Sequence, residues 1–409
     1  MLNSTSHQAK EIKMQSGKIV DPMKYLTKIA EIGPRPTCSA KEKEAAHFAK
    51  ETMQGFGLDV SEERFFCNPS MFRPHMLIFL FVIAMGILPI LFEQYSFGYF
   101  LAALGCFYAR KLYTELLHNR SIPFMKMFPN KPSSNIIGKI SSIGPKRKRI
   151  VLLSHLDSAI CSPIFGEKMV KSLRTNIFMD RVLFIVLGLL YLGGGFFHSI
   201  WFYYGALALS LYILGSLLVL LYSELFSPTS PGVNDNGSGV SAVLAFAEQF
   251  KANPLQNTEV WCVCLGAEES GALGSKALWE QHGQELLDSY IINIDSVAVG
   301  GLHYVTNEGY TEEYFCDQEM IGYLEQLQGE RPYLNLKPFA FKGWGGFTDC
   351  TNLLQKGCRA ITLVSMADDG FIPNWHTLRD TLEGIQQEPY SHLMETVDQL
   401  VYRLDQAKV

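Results

Sequence analysis

Four apolar stretches constrain this chain more than any other feature. They occupy residues 76–92 (MLIFLFVIAMGILPILF), about 97–109, 182–197 and 201–222, and none contains Asp, Glu, Lys or Arg. A helix that crosses a bilayer needs roughly 20 apolar residues, with about 17 as the lower limit. The first and fourth stretches meet that length. The second and third are shorter, but each adjoins a longer one through a short link. The pattern reads as two helical hairpins, residues 74–110 and 181–222, inserted into a larger domain. Buried core helices are the alternative, but a water-exposed enzyme rarely needs helices apolar on every face.

Flanking charge orients the hairpins. Arg73, Arg110 and Lys111 bracket the first, Lys168, Lys171, Arg174 and Arg181 precede the second, and the tips carry only Glu93 and His198. The positive-inside rule then predicts an integral membrane protein with four transmembrane helices and a cytoplasmic main domain.

The remaining segments, 22–73, 111–180 and 223–409, read as one α/β domain behind a polar tail, 1–21. Helical periodicity marks 24–32 and 40–56, and 58–66 alternates like a strand. Further strands are expected at 135–140, 149–155, 259–266, 289–294 and 360–364, with helices at 238–250, 273–282 and 387–404. Strands alternating with helices predict a mixed, mostly parallel sheet covered on both faces. The segment IGPKRKR is expected to be a tight turn joining 135–140 to 149–155, with Lys146, Arg147, Lys148 and Arg149 in solvent. The nine cysteines follow no metal or disulfide spacing and read as reduced, mostly buried thiols. The first twenty residues hold no apolar run of signal-peptide length, so no cleaved secretory signal is expected. A net charge of −5 excludes the basic surface that nucleic-acid binding needs.

Polar residues at the ends of the predicted strands carry the chemistry. In IVLLSHLDS, His155 follows a buried strand, and Asp157 is placed to accept the second imidazole N–H. Asp235 lies in the glycine-rich turn PGVNDNGSG before a helix, where its carboxylate can bridge two cations or serve as a helix N-cap. Glu268 and Glu269 are adjacent carboxylates after a buried strand. They repel one another unless a cation or a shared proton relieves them. One of such a pair can bind metal while the other takes a proton from an attacking water. Asp295 ends the strand YIINID, and PNWHTLRDT offers His376 with Asp380 four residues on. The set is two imidazoles and three carboxylates with one spare glutamate and no thiolate, which suits zinc in an open site.

These five segments, in this order, resemble the zinc exopeptidases of metallopeptidase family 28, which include bacterial leucyl-type aminopeptidases, glutamate carboxypeptidases and glutaminyl cyclases. The stretch IGPRPTCSAKEKEAAHFAKETMQGFGLDV also resembles that family's opening segment. The resemblance covers about 22–66, 134–160 and 229 to the C-terminus; the hairpins are insertions that soluble members lack. It implies two zinc ions bridged by Asp235, with His155 and Asp295 completing one site and Glu269 and His376 the other. It further implies Glu268 as general base, with Asp157 and Asp380 behind the ligands. In FTDCTNLLQKGCRAITL, Asp349 matches the family pattern but Cys350 stands where histidine is usual, so Asp349 is assigned to support or pocket shaping. The implied reaction is hydrolysis of a peptide bond at a free N-terminus. The alternatives are hydrolysis of N-acyl amino acids, glutaminyl cyclase-like acyl transfer, and a catalytically inactive membrane receptor or scaffold.

Strand direction adds an expectation. If 58–66 pairs antiparallel with 135–140, which itself runs opposite to 149–155, both hairpins leave the sheet at the edge that carries His155.

Overall fold

The computed structural model describes residues 19–92, 95–118, 120, 122, 130–310, 312–341 and 346–407. Its polar N-terminal tail, predicted at 1–21, lies outside the described residues up to position 18. Helix α1 (Met23–Ile32) buries Tyr25, Leu26 and Ile29. Helix α2 (Ala40–Gly55) starts where the Ser39 hydroxyl accepts the Glu42 amide, a side-chain cap for an otherwise unpaired N–H. Strand β1 (Asp59–Cys67) follows.

The central sheet has nine strands: β1, β2 (Lys131–Ile140), β3 (Lys148–His155), β4 (Thr258–Leu265), β5 (Ser289–Asp295), β6 (Gly301–Glu308), β7 (Tyr314–Phe315), β8 (Lys337–Ala340) and β9 (Arg359–Met366), in the order β1-β2-β4-β3-β5-β9-β6-β7 with β8 on β6. The sheet is mixed, but its parallel part is the central run β4-β3-β5-β9. Antiparallel strands flank that run, with β1 and β2 on one side and β6 on the other.

One expectation needs correction here. β2 and β3 are not neighbours, because β4 lies between them. Segment 143–147 instead runs along the lead-in to β4, where the Ile143, Gly144 and Arg147 amides donate to the Leu255, Gln256 and Asn257 carbonyls. The relative directions are nonetheless as expected. β1 runs parallel to β3 and ends at the edge that carries His155, so the first hairpin leaves from that edge.

The basic turn is also less solvated than expected. Lys148 and Arg149 are buried. Arg149 pairs with Glu259 at 2.7 Å and stacks over Trp261, while the Lys148 ammonium donates to the Leu404 carbonyl in the last turn of the C-terminal helix. A cation is favourable there because helix C-termini leave carbonyls unpaired.

Both sheet faces are covered. Along β3, Ile150 and Leu152 point into one apolar cluster with the helix Gly239–Ala252, and Val151 and Leu153 point into another with Trp261, Leu278 and Leu286. This period-two alternation within a fully buried strand is what a two-faced core requires. At Gly239 a Cβ would stand 2.2 Å from the Ile294 carbonyl oxygen, so glycine lets that helix meet the end of β5.

The apolar stretches form four packed helices: α3 (Phe72–Met85), α4 (Tyr95–Leu117), α5 (Leu173–Phe197) and α6 (Ile200–Phe226). They share one apolar core that includes Phe79, Tyr99, Phe184, Leu187 and Ile213. Gly194 of α5 permits the contact with α4, since a Cβ there would stand 2.5 Å from the Tyr99 ring. Three segments are long and apolar enough to cross a membrane by length and composition: Phe72–Leu91, Leu173–Phe197 and Ile200–Phe226. In the last, only 17% of the apolar window is buried. Trp201, Leu211, Leu218 and Phe226 face outward, which is contrary to the buried-core alternative. Helix α4 carries Arg110, Lys111 and Glu115 in its last two turns and does not join those three.

Candidate metal centre

Every predicted ligand reaches one point beyond the carboxyl ends of the parallel strands, where open α/β sheets place ligands. His155 ends β3 and Asp295 ends β5. Glu268 and Glu269 follow β4, Asp235 precedes helix α7 (Gly239–Ala252), and His376 lies in the loop after β9. The His155 Nε2 is 3.3 Å from Asp235 Oδ1 and 3.9 Å from Asp295 Oδ1. The His376 Nε2 is 3.2 Å from Asp235 Oδ2 and 3.3 Å from Glu269 Oε2. The two oxygens of Asp235 thus face two different imidazoles, each with its own second carboxylate. Ligand atoms of His155, Asp235 and Glu269 all lie within 4.8 Å of one another.

Local structure fixes each group. The Asn236 side chain accepts the Gly239 amide and donates to the Ile294 carbonyl, tying the Asp235 loop to the end of β5. Asn236 therefore caps the helix, which leaves the Asp235 carboxylate free for the cluster. Asp380 accepts the amides of Asn234 and Asp235 at 2.6 and 3.0 Å, so it orients the Asp235 backbone. Ala267, Ser296 and His376 adopt left-handed backbone with φ of 57, 54 and 54°. Such residues cost about 1 kcal/mol or more each and persist only where the surroundings enforce them.

Asp157 does more than its expected role. The His155 Nδ1 lies 3.2 Å from the Asp157 main-chain carbonyl and 3.6 Å from its carboxylate. The carboxylate oxygens also accept the amides of Glu268 and Glu269 at 3.0 and 3.1 Å, and the Thr37 hydroxyl at 2.6 Å. Two adjacent N–H groups present a fork that the carboxylate fills while it also faces the ring.

Three supporting residues escaped the sequence reading. Arg35 is fully buried and donates to the carbonyls of Gly33, Leu156, Pro231 and Gly232, joining the exits of His155 and Asp235. Glu42 accepts the Ala267 amide beside Glu268, the Cys38 amide and the Ser133 hydroxyl. Glu308 accepts the hydroxyls of Thr348, Thr351 and Thr362, fixing the turn into the helix Asp349–Leu354. The signal for the first two was an arginine between prolines and a glutamate inside IGPRPTCSAKEKE; nothing local marks Glu308. Cys350 points away from the site into the core, its thiol toward the Ile361 carbonyl, so its presence in place of histidine removes no side chain from the cluster.

The electrostatics call for a cation. Burial pushes the carboxyls of Glu268 and Glu269 well above the usual range, and those of Asp295 and Asp349 up to about 6 and 7. Burial also pushes Asp235 up, but its hydrogen bonds to His155 and His376 outweigh that and hold it low. Among the described residues, Glu269 Oε1 is buried without a hydrogen-bond donor, and Asp235 Oδ2 faces the His376 ring. Converging oxygen and nitrogen donors, unpaired and without thiolate, fit zinc.

The fold is thus an α/β sheet with an imidazole–carboxylate cluster at the carboxyl edge of its parallel strands. Residues 222–401, a little under half of the chain, match the model of peptidase family M28. Among curated relatives, it is 27% identical over 187 residues to a probable lipoprotein aminopeptidase of Mycobacterium tuberculosis, covering 39% of this chain and 37% of that protein. It is 25% identical over 177 residues to an aminopeptidase of Bacillus subtilis, covering 43% of this chain and 38% of the relative. The matches therefore span well under half the length of both relatives. Among solved structures, a zinc aminopeptidase from Bacillus subtilis superposes with a TM-score of 0.55 at 17% identity, covering 95% of this chain and 96% of that one. A glutaminyl cyclase from Fimbriiglobus ruber gives 0.55 at 13% identity, covering 95% and 97%. At these identities the likeness is one of fold.

Proposed function

We propose that this protein is a membrane-embedded aminopeptidase that uses two zinc ions. The observation that carries the reading is the division of Asp235, whose two oxygens face His155 and His376 separately. On this reading His155, Asp235 and Asp295 hold one zinc, and Asp235, Glu269 and His376 hold the other. The two curated relatives are both aminopeptidases by name, one of them a probable one, which supports the same activity.

Bound zinc supplies Lewis acidity toward the scissile carbonyl and makes an attacking water more acidic. Glu268 accepts that water's proton on its carboxylate and passes it to the leaving amine nitrogen. Its backbone is held by the Asp157 carboxylate, so the base approaches from a fixed direction. Asp349 and Tyr310 stand beside Glu268 and shape the pocket. Phe165 packs edge-on against the His376 ring at 4.4 Å and Trp375 stacks on it at 3.8 Å, keeping bulk water from that side. The outward apolar surfaces of α3, α5 and α6 suit a bilayer, with the main domain on the side of the flanking Lys and Arg residues.

Purified protein should bind two zinc ions per chain and release p-nitroaniline from leucine p-nitroanilide, and Glu268→Gln should lower kcat by about 10²–10⁴ with zinc content unchanged. One zinc with glutaminyl substrate cyclisation would favour the cyclase reading. A zinc-free protein without turnover would favour the scaffold.

A further inference from the structure

A chamber of about 960 Å³ lies between the four apolar helices and the main domain. Phe72, Leu116, Ile177 and Val219 form its membrane-side wall; Phe65 of β1 and Gly271, two residues past Glu269, face them. A second cavity, of only about 70 Å³, surrounds His155, Asp235, Glu268, Glu269, Asp295 and His376. Met71, Phe165, Gly271, Tyr310 and Phe347 line both spaces, so the chamber adjoins the candidate metal centre.

We propose that the chamber binds the part of the substrate that lies beyond the scissile bond, and that it takes apolar peptide segments. This rests on the aminopeptidase reading above. The small cavity holds little more than the reacting amide, whereas sites that enclose a ligand run to about 300–1,000 Å³. An aminopeptidase has one residue before the bond and the remainder after it. The larger space exceeds one residue and therefore belongs to the remainder. Its walls are mostly aromatic and aliphatic, although Arg120, Asp180, Lys276 and Glu280 also line it, so apolar side chains bury the larger share of surface there.

Gly215 of α6 provides a direct test. It lines the chamber, and no atom lies within 4 Å of where a Cβ would stand, so a side chain enters empty space. Full-length protein in detergent, loaded with zinc, is assayed on Leu-Phe-Leu-Phe-amide, Leu-Ser-Gly-Ser-amide and leucine p-nitroanilide. The wild type should show a kcat/KM for the apolar peptide about tenfold or more above the polar one. Gly215→Phe should reduce that ratio about fivefold or more, chiefly through KM. Ile177→Phe, from the facing helix, is the second variant if the first does not fold. Binding gives an independent readout: Phe-Leu-Phe-amide should raise the Tm of zinc-free wild type and not of Gly215→Phe. Equal rates on both peptides, or a ratio unchanged in the folded variants, would overturn the assignment while leaving the aminopeptidase reading intact. Failure to cleave leucine p-nitroanilide and both peptides with zinc bound would overturn both.

Discussion

Replacing Arg35 by lysine tests how the site is held together. The guanidinium makes four hydrogen bonds of 2.7–3.0 Å to carbonyls from three segments: its own, the one leaving His155 and the one entering the Asp235 loop. Lysine keeps a positive charge but offers its donors from a single atom, which cannot reach carbonyls arranged around a planar fork. If two of the four bonds survive, two buried carbonyls lose their partners. Each such loss costs about 1–2 kcal/mol, giving a total of about 2–4 kcal/mol. At roughly 2–4 °C per kcal/mol for a chain of this size, Tm should fall by roughly 5–15 °C. The assay is thermal unfolding of zinc-free protein in detergent, followed by tryptophan fluorescence at one scan rate. Zinc affinity should fall as well, by about 10–100-fold, because Leu156 follows one ligand and Gly232 precedes another. Arg35→Met should be worse on both counts, since it also removes the buried cation that faces Asp157, Asp235, Glu269 and Asp380. A lysine variant that melts within 1 °C of wild type and binds zinc equally well would refute the reasoning.

Two further expectations concern the protein away from the metals. Partial burial raises the Glu259 carboxyl, but hydrogen bonds from Lys146 and Arg149 outweigh it, so the net shift is downward. A depressed carboxylate stabilises the fold above its unfolded pKa of 4.5 and loses that contribution as pH falls through the folded value. The Tm gap between wild type and Glu259→Gln should therefore narrow on acidification from pH 7 to pH 4; a gap independent of pH speaks against the pairing. For topology, His198→Cys at the second hairpin tip should react with a membrane-impermeant maleimide on intact cells, and Arg147→Cys only after lysis. The opposite labelling pattern reverses the orientation.

His155, Asp295 and the Glu268–Glu269 pair stood out in the sequence because they sit at the ends of apolar strands, where the change from buried run to polar turn is local. The helices at 24–32 and 40–56 and the central strands were legible for the same reason, since period and burial are written over short windows. The region from 301 to 354 was not. β6 carries His303, Asn307 and Glu308, which break the apolar alternation, and Glu308 is tolerated in the core only because three threonine hydroxyls from other segments reach it. The helix Gln318–Glu330 has an apolar face at Met320, Ile321, Leu324 and Leu327, but Gly322 and Gly329 mask its propensity.

What the sequence by itself determined is the chemical inventory: apolar helices too uniform for a water-facing surface, and imidazoles and carboxylates in an order that fits a two-metal site. What only the tertiary structure decided is who neighbours whom. β4 inserts between β2 and β3, Asp157 serves the Glu268 and Glu269 amides as well as facing the His155 ring, and Arg35 closes the gap between distant loops. Cys350 turns into the core, and the small cavity around the imidazole–carboxylate cluster adjoins the chamber under the apolar helices. Each depends on contacts between residues far apart in the chain. Local periodicity carries no information about them, and packing and hydrogen-bond satisfaction leave few alternatives.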